Sequence, residues 1–321
     1  MLEKSNFTEI GHPMAQKAIK LHIGAHKTAT TYLQQYFSYN RAVLARNGVA
    51  YWPRENVRDV VKLSWEQSKR RRSSLRGRLA SFIFGDQMSV RMKPWFSIER
   101  DVLLSEENLI GEGADFLGDQ FYSECANRLS WLKKAIPSDR QLEVWLCIRS
   151  YPDFFASMYG EAARFWPMPT PEQYANRYED AAGRWPSLID QIRKALPNAN
   201  LIVWAYEDFR DLEPRIIKGM TGVDQKLLRP LQQVDVRPSA SNRAVREIVA
   251  LPSDIQGPER MMRMLELEEL YPPKDKSDRF SPWTPEQCEK LEAAWQKDRA
   301  DLAARSDVTF LHTSKGKKDD G

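Results

Sequence analysis

The sequence predicts an α/β fold in which a mostly parallel central sheet is flanked by helices. Two observations carry this prediction: short apolar, strand-like segments alternate with segments of helical periodicity, and polar residues follow the ends of the strand-like segments. Crossover helices between parallel strands produce such an alternation and bury the sheet on both faces. Ligands bind such sheets beyond the carboxyl ends of the strands, so the residues that follow each strand are the candidates for a site.

The length and composition predict a single domain. We expect residues 17–312 to form it, after a flexible polar lead-in at 1–16 and before a polar tail at 313–321. A hydrophobic content of 42% and a charged content of 29% are typical of a soluble globular protein. The sequence has neither a membrane-spanning apolar run nor an apolar signal segment, so we expect a cytoplasmic location.

The charge balance favours an anionic ligand. A net charge of +4 is mildly basic, and it is smaller than the basic excess of a dedicated nucleic-acid binder. The three cysteines, Cys125, Cys147 and Cys288, are far apart in the sequence and lack metal-ligand spacing. We therefore expect neither a disulfide framework nor a metal site.

The first elements follow from apolar spacing and stop signals. A strand is predicted at 18–23, and a helix runs from Thr31 to the stop signal at Asn47-Gly48. A short strand at 49–52 ends before a proline. Later strands are predicted at 101–110, 142–150 and 200–209, with helices at 120–135, 151–164, 185–195 and through most of 210–305.

Residues 54–98 show no clear period and include the basic segment 68–78, "SKRRRSSLRGR". This segment is interpreted either as a solvated helix face or loop, or as a contact for an acidic substrate or anionic lipid headgroups. The sequence leaves both interpretations open.

The stretch "HIGAHKTATTYLQ" (22–34) places a small, polar loop between a strand and a helix. Gly24 permits a sharp exit from the strand, and Lys27 supplies a positive charge. The first turn of the helix presents free backbone N–H groups, which makes this junction a good anion site. The loop lacks the glycines of the G-x-x-x-x-G-K-[ST] motif, so it is expected to hold one phosphate-like group. Hydroxyl donors are supplied by Thr28, Thr30 and Thr31.

The stretch "RSYPDFFAS" (149–157) contains a second set of anion-binding candidates, at the exit of the predicted strand 142–150. This stretch and the loop within 22–34 are called the two anion grips. The guanidinium of Arg149 is a planar fork that suits a phosphate. Pro152 turns the chain, so that Ser157 in the following helix can reach the same oxygens. An ion pair between Arg149 and Asp153 is the alternative interpretation.

The first of these stretches resembles the phosphosulfate-binding loop of the sulfotransferase family, in which a pattern near Lys-x-Gly-Thr-Thr follows the first strand. Lys27, Thr30 and Thr31 match this pattern, and the resemblance is closest to a bacterial branch that opens with "HIGxHKTGTT". Ala29 stands where the family usually has glycine. If that position needs a positive φ, alanine is strained by about 1 kcal/mol. The resemblance implies that the loop, including Thr28 and Ala29, binds the donor nucleotide.

Two further stretches extend the resemblance. In the family, an arginine at a strand end and a serine eight residues later hold the 3′-phosphate of the donor, and Arg149 and Ser157 have this spacing. "RPSASNRAVREI" (237–248) resembles a serine-containing segment of the bacterial relatives, which implies nucleotide contacts from Ser239 and Ser241. Capping of the next helix explains these serines equally well.

The resemblance implies a P-loop-like sulfotransferase architecture and a sulfuryl transfer from 3′-phosphoadenosine 5′-phosphosulfate (PAPS) to an acceptor hydroxyl, without a metal. A carbohydrate acceptor on a bacterial glycan or glycolipid is expected, with a wall formed by Tyr159, Arg164, Phe165 and Trp166. Two alternatives stay open: a non-catalytic nucleotide-binding module of the same shape, and a P-loop-type nucleotide kinase.

Lys27 is expected to stabilise the leaving phosphate, and a base must accept the proton of the acceptor. "LLSEENL" resembles an "SSEN" segment of the bacterial branch, which favours Glu107 as the base and then Glu106. Adjacent strand residues point to opposite faces, so only one of the two is expected to face the site. A cap or ion-pair role for Glu107 is the alternative. His26 is a further catalytic candidate, and His22 is expected to be a core residue.

Overall fold

The computed structural model of this chain describes residues 17–72, 87–113, 121–232, 239–275 and 277–313. The predicted lead-in at 1–16 and the tail from residue 314 onward lie outside the described residues. Most of the basic segment 68–78 lies outside them as well, so both interpretations of this segment stay predictions.

The described residues form one sheet of parallel strands, which confirms the predicted α/β class with a mostly parallel central sheet flanked by helices. The strands lie in the order β2-β3-β1-β4-β5-β6. In the register of the sheet, Leu21 lies between Leu104 and Val144. The strands are β1 (Ala18–His22), β2 (Val49–Trp52), β3 (Asp101–Ser105), β4 (Gln141–Ile148), β5 (Asn200–Ala205) and β6 (Thr309–Leu311).

The helices connect these strands. Within the described ranges, no helix combines the length and the apolar character that are needed to cross a bilayer. The helices are α1 (Thr30–Tyr39), α2 (Arg41–Arg46), α3 (Arg54–Arg72), α4 (Gln87–Phe96), α5 (Cys125–Lys133), α6 (Tyr151–Ala163), α7 (Pro171–Tyr178), α8 (Arg184–Ala195), α9 (Phe209–Thr221), α10 (Asn242–Val249), α11 (Gly257–Leu270) and α12 (Pro285–Ala304).

Helices cover both faces of the sheet. One apolar cluster contains Leu33 of α1 and Ile216 of α9, and the other contains Val61 of α3, Phe154 of α6 and Trp295 of α12. The central strands are therefore apolar along most of their length, as parallel strands that are buried on both faces must be. This packing leaves the edge of the sheet at the carboxyl ends of the strands as the place for polar chemistry.

The connections place a crevice between β1 and β4. The chain leaves β1 toward β2 at one edge of the sheet, and it leaves β4 toward β5 on the other side. Adjacent strands whose connections diverge in this way open a crevice at their carboxyl ends, where ligands bind α/β sheets. The two predicted anion grips, the loop after β1 and the residues after β4, both lie at this crevice.

The helix predicted from Thr31 to Asn47 is divided at Asn40 into α1 and α2. The buried side chain of Asn40 donates to the carbonyl oxygens of Tyr36 and Arg229, at 3.0 Å each, and accepts from the backbone N–H of Arg229 at 2.7 Å. Asparagine competes with the backbone for hydrogen bonds, and here it fixes a distant segment against the helix. The apolar spacing of the sequence continues across Asn40, so it gives no sign of this break.

The carboxyl ends of two predicted strands also differ from the prediction. β3 ends at Ser105, and 107–109 form a 3₁₀ turn instead of extending the strand to 110. β5 ends at Ala205, and 206–208 form a 3₁₀ turn instead of extending the strand to 209. The sequence also missed β6, whose three residues pair in parallel with β5. A strand this short has too few residues for a recognisable alternation.

We expect Gly219→Ala to lower the free energy of unfolding by about 1–3 kcal/mol, because a Cβ at this position in α9 would overlap the indole of Trp145 and overpack the core. Chemical denaturation measures the effect. The matched control is Gly160→Ala in α6, where the nearest atom to a new Cβ is 4.0 Å away in Val245, and alanine should stabilise the helix by up to about 1 kcal/mol. Equal stability of the Gly219→Ala protein and the wild type would contradict the prediction.

Candidate functional site

The loop that follows β1 requires a glycine at its start. Gly24 has a φ of +90°, and a Cβ at this position would lie 2.8 Å from the Cβ of Glu107. The loop also continues the pairing with β4, because Ala25 N–H donates to Cys147 O at 2.7 Å and Cys147 N–H donates to Gly24 O at 2.6 Å. The loop is therefore fixed between the ends of β3 and β4.

Lys27 and Ala29 adopt left-handed backbone conformations, with φ of 58° and 62°. Ala29 is the N-cap residue of α1, and its side chain offers no capping hydrogen bond. Alternation of left- and right-handed residues forms a concave nest of backbone N–H groups that binds anions. The position at which the sulfotransferase pattern has glycine thus has a positive φ, and the Cβ of Ala29 is sterically strained there.

Ala29→Gly should raise the free energy of unfolding by about 1 kcal/mol, because glycine adopts a positive φ without the clash of a Cβ. The same substitution at Ala45, an exposed residue of α2, is the matched control and should cost about 1 kcal/mol. Denaturant titration of the two variants should give shifts of opposite sign. Destabilisation by both substitutions would show that the left-handed geometry of Ala29 is not strained.

The threonines of the loop have different surroundings. The hydroxyls of Thr28 and Thr30 are buried and donate to the carbonyl oxygen of Ala25, at 2.6 and 3.1 Å. Their protons therefore satisfy a buried backbone acceptor, which would otherwise be costly to leave unpaired. Thr31 is half-buried in the first turn of α1. An anion at this loop would receive hydrogen bonds mainly from backbone N–H groups.

Arg149 lies directly against the loop. Its Nη1 donates to the carbonyl oxygen of Lys27 at 2.9 Å, and its guanidinium lies 4.7 Å from the ring centre of Tyr206. The alternative ion pair with Asp153 is present at 3.6 Å, but the side chain of Asp153 is 65% exposed, so the pair contributes little. The Nε atom of Arg149 is buried and has no hydrogen-bond partner within the described residues. The two predicted anion grips thus meet.

A small, cationic pocket opens between this loop, α6 and the residues before α10. Its volume of about 80 Å³ suits a single anionic group better than a whole nucleotide. Ser157 of α6 and the exposed Ser239 line it, as the sequence predicts. Its polar lining includes Lys27, Arg149, Ser157, Glu161, Arg164, Ser239 and Arg279.

Glu161 holds the ammonium group of Lys27. The two side chains form an ion pair at 3.3 Å, and Arg164 Nη1 donates to the same carboxylate oxygen at 2.5 Å. Arg164 also pairs with Glu268 of α11. Burial alone would raise the pKa of Glu161, but the charges of Lys27 and Arg164 outweigh it and lower the pKa. An ionised carboxylate therefore accompanies the lysine in the absence of a ligand.

Ser241 is a helix cap. It is buried, accepts a hydrogen bond from Ala244 N–H at 3.1 Å as the N-cap of α10, and donates to Tyr271 O at 2.6 Å. The structure therefore shows the capping alternative at this serine and does not bring its hydroxyl into the pocket. A β-bridge from Ser241 to Arg279 places that arginine at the pocket, which the sequence did not predict.

Only part of the predicted acceptor wall is accessible. Tyr159 is buried, donates to Pro169 O at 2.6 Å and stacks on Phe280, so it belongs to the core. Arg164 is buried as well, in the ion pairs described above. Phe165 and Trp166 stay half-buried.

Glu106 and Glu107 both contact Arg58. The alternation of strand residues on which their expected orientation depended does not apply, because β3 ends at Ser105 and Glu107 begins a 3₁₀ turn. Arg58 Nε lies 3.2 and 3.1 Å from the two oxygens of Glu106, and its Nη2 lies 2.5 Å from Glu107 Oε1. The ion-pair alternative for Glu107 is thus realised, and Glu106 caps the turn by accepting from Asn108 N–H at 3.0 Å.

The two carboxyl groups have opposite pKa shifts. Glu106 is fully buried, and its burial together with the charge of Glu107 raises its pKa. Burial would also raise the pKa of Glu107, but the charges of Arg58 and His26 outweigh it and lower the pKa. The pair resembles other close carboxyl pairs in which one group stays ionised and the other retains a proton more readily.

His26 lies on the same side of the loop as these acids. Its backbone N–H donates to the hydroxyl oxygen of Tyr122 at 3.1 Å, and its Nδ1 lies 3.0 Å from the same oxygen. Its Nε2 lies 3.1 Å from Asn108 Oδ1. The ring is therefore fixed between the loop and the turn that carries Glu107.

His22 is a core residue, as expected. It is fully buried, its Nδ1 lies 2.8 Å from Ser105 Oγ, and its ring stacks on Trp204. Burial lowers its pKa from 6.5 to about 4, against a small opposing effect of the charge of Glu107. The folded protein therefore holds a neutral imidazole where the unfolded chain would bind a proton.

This residue should make stability depend on pH. The contribution of the lowered His22 pKa to the free energy of unfolding is complete above pH 6.5. It is lost as the pH falls toward about 4, because only the unfolded chain binds the proton in this range. We expect the free energy of unfolding of the wild type to fall over this range by about 3 kcal/mol more than that of His22→Gln. Urea titrations at a series of pH values measure it. Parallel pH curves for the two proteins would refute the assignment.

Sequence reasoning missed several residues of the site: Gln34, Arg58, Glu161 and Arg279. Gln34 had a detectable signal, because it follows Thr30 and Thr31 by one helical turn and so shares their face of α1. The other three lie on segments that only the tertiary fold brings to the loop.

Comparison of the chain with models of protein families, with curated protein sequences and with solved structures found no match. Within the described ranges, no group of three or more His, Cys, Asp or Glu side chains is arranged to hold a metal ion. The function of the chain is therefore inferred from the geometry of this crevice.

Proposed function

We propose that this chain is a sulfotransferase that moves a sulfuryl group from PAPS to an acceptor hydroxyl. The contact between Arg149 and the loop at Lys27 carries the proposal, because it joins two anion grips at the crevice between β1 and β4. A ligand that places one anionic group in the pocket and a second at the backbone N–H groups of the loop would use both grips. A nucleotide with a phosphate on the 3′ oxygen and a second anion on the 5′ oxygen meets this requirement.

The residues at the crevice fit such a donor. Lys27, the left-handed backbone of the loop and the uncapped start of α1 suit the 5′-phosphosulfate. Arg149 and Ser157 suit the 3′-phosphate, and the buried, unpartnered Nε of Arg149 is a donor that a phosphate oxygen would satisfy. The small volume of the pocket matches a phosphate, with the rest of the nucleotide outside it.

The proposed step is a direct displacement at sulfur. The acceptor oxygen forms a new bond to sulfur, and the bond from sulfur to the bridging oxygen of the 5′-phosphate breaks, which leaves adenosine 3′,5′-bisphosphate. Lys27 and the loop N–H groups stabilise the charge that develops on that phosphate. The acceptor proton passes to the carboxylate of Glu107, on the other side of the loop, and then to solvent.

For the acceptor, we propose a chemical class and not an individual compound. A hydroxyl-bearing carbohydrate is the proposed acceptor, and the half-buried rings of Phe165 and Trp166, 5.6 Å apart, are the aromatic surface available to it. The cytoplasm is the proposed location. Contact with an anionic membrane surface would depend on the segment 68–78.

Binding of adenosine 3′,5′-bisphosphate is the first test. We expect it to stabilise the wild type in a thermal shift assay, with much smaller effects of ATP–Mg and NAD. Arg149→Ala should weaken the affinity for adenosine 3′,5′-bisphosphate at least tenfold, about 1.4 kcal/mol. The affinity for adenosine 5′-monophosphate should fall less, because that ligand loses only the support of the loop, whereas the bisphosphate also loses a contact to its 3′-phosphate. Arg263→Ala, at an exposed ion pair on α11, is the matched control.

Two outcomes would count against the proposal. Equal stabilisation by ATP–Mg would favour the kinase alternative. An Arg149→Ala protein that binds adenosine 3′,5′-bisphosphate as well as the wild type does would show that the two anion grips do not share a ligand.

A non-catalytic nucleotide-binding module is the second candidate. One observation favours it: both oxygens of Glu107 already have partners, Arg58 and Gln34, and the lowered pKa of Glu107 makes it a weaker base. Transfer of labelled sulfate from PAPS to extracted glycans separates the two candidates. Tight binding of the donor without any transfer would favour the module.

A further inference from the structure

Arg58 of α3 joins the two acids at the end of β3. Its Nη2 lies 3.1 Å from Glu106 Oε1 and 2.5 Å from Glu107 Oε1, while its Nε reaches both oxygens of Glu106. The side chain of Arg58 is 33% exposed, that of Glu107 is 14% exposed and that of Glu106 is fully buried. Glu106 is therefore the buried end of this cluster, and the guanidinium of Arg58 is its partly exposed end.

The second oxygen of Glu107 is held from the opposite side. Gln34 of α1 donates from Nε2 to Glu107 Oε2 at 3.0 Å and to Ser105 O at 3.2 Å. The Cβ of Glu107 also packs directly against Gly24. Two hydrogen bonds and one close backbone contact thus fix this carboxylate relative to the anion-binding loop and to the helix that follows it.

Glu106 anchors the guanidinium. A fully buried carboxylate is unfavourable unless it is paired and hydrogen-bonded, and Arg58 together with Asn108 N–H supplies these bonds. The bonds from Nε and Nη2 define the plane of the guanidinium. The contact of Nη2 with Glu107 is therefore set by Glu106 and by the position of α3.

We propose that Arg58 is a positioning residue for the transfer reaction, which fixes the Glu107 carboxylate in place beside the donor loop, and that the buried carboxyl group of Glu106 fixes the guanidinium of Arg58. This inference rests on the proposed function, in which Glu107 receives the proton of the acceptor. Each oxygen of Glu107 keeps a lone pair after its contact with Arg58 or Gln34, so an acceptor hydroxyl still has a place to bind.

The charges around Glu107 set the sign of the expected effect. Arg58 faces it from α3, His26 from the loop and His22 from β1, while Glu106 precedes it in the chain. Tyr51 of β2 faces Glu106. Arg58 and His26 favour the ionised form of Glu107, so loss of Arg58 should raise the pKa of Glu107. The acid limb of the pH–rate profile should then move to higher pH.

The test compares Arg58→Gln, Arg58→Lys and the wild type. We expect Arg58→Gln to lower kcat at least tenfold and to move the acid limb upward by about one pH unit or more, with the affinity for adenosine 3′,5′-bisphosphate within twofold of the wild type. Arg58→Lys should change kcat and the acid limb less than Arg58→Gln does, because lysine keeps the positive charge but lacks the two-pronged guanidinium. Arg54→Gln, on the same helix and in an ion pair with its exposed neighbour Glu55, is the control with wild-type kinetics.

Arg58→Gln leaves the carboxyl group of Glu106 buried without its partner, which destabilises the fold, so a second variant is needed. The double variant Arg58→Gln with Glu106→Gln removes both charges and keeps Glu107, so it preserves the balance of the interior. It should show the same shift of the acid limb. An unshifted limb in the double variant, or a fall in nucleotide affinity in parallel with kcat, would overturn the positioning role.

A titration that needs no activity separates this inference from the proposed function. Carboxyl ¹³C NMR of selectively labelled glutamate, with Glu107→Gln for assignment, follows the ionisation of Glu107 directly. A raised pKa of Glu107 in the double variant, with no sulfate transfer by the wild type, would support the role of Arg58 in ionisation and reject the sulfotransferase. An unchanged pKa of Glu107 would reject the inference whether or not transfer occurs.

Discussion

The hydrogen bond from the Arg149 guanidinium to the carbonyl oxygen of Lys27 joins the ends of β1 and β4 at the crevice. It ends on a backbone atom, so it fixes the loop independently of the side chain at position 27. The carbonyl of Arg149 itself accepts from the indole N–H of Trp185 at 2.9 Å, which fixes the other end. A charge-assisted bond of this kind is stronger than a neutral one, and it holds a loop that contains two left-handed residues.

Buried charge is concentrated on the other side of the same loop. Glu106 and Arg128 are almost fully buried, and Arg128 donates to Asn108 O at 2.8 Å and to Glu112 at 2.9 Å. Desolvation makes such groups a poor source of stability. Arg128 fixes the carbonyl of the residue that contacts His26, and Arg58 fixes the acid next to it. These buried charges therefore fix the position of a polar cluster beside the loop that follows β1, at a cost in stability.

The predicted site residues that line the same pocket come from short segments of the chain. Lys27 lies on a single strand–loop–helix junction, and Arg149 and Ser157 lie on another, so local spacing indicated them. Prediction was less accurate for hydrogen-bond partners: Thr28 donates into its own loop, and Ser241 caps a helix. The competing acceptors are backbone groups whose positions depend on the fold.

The sequence by itself determined the α/β class and the parallel strands β1 to β5, because apolar periodicity is a local property. It also placed the two predicted anion grips after the ends of strands, because the polar residues there are local features as well. The tertiary structure alone decided which groups meet: α3 brings Arg58 to the acids, and α6 brings Glu161 to Lys27. It also decided where α1 ends, through the contact of Asn40 with Arg229. These contacts join residues far apart in the chain, and their energies depend on burial, which apolar periodicity does not encode.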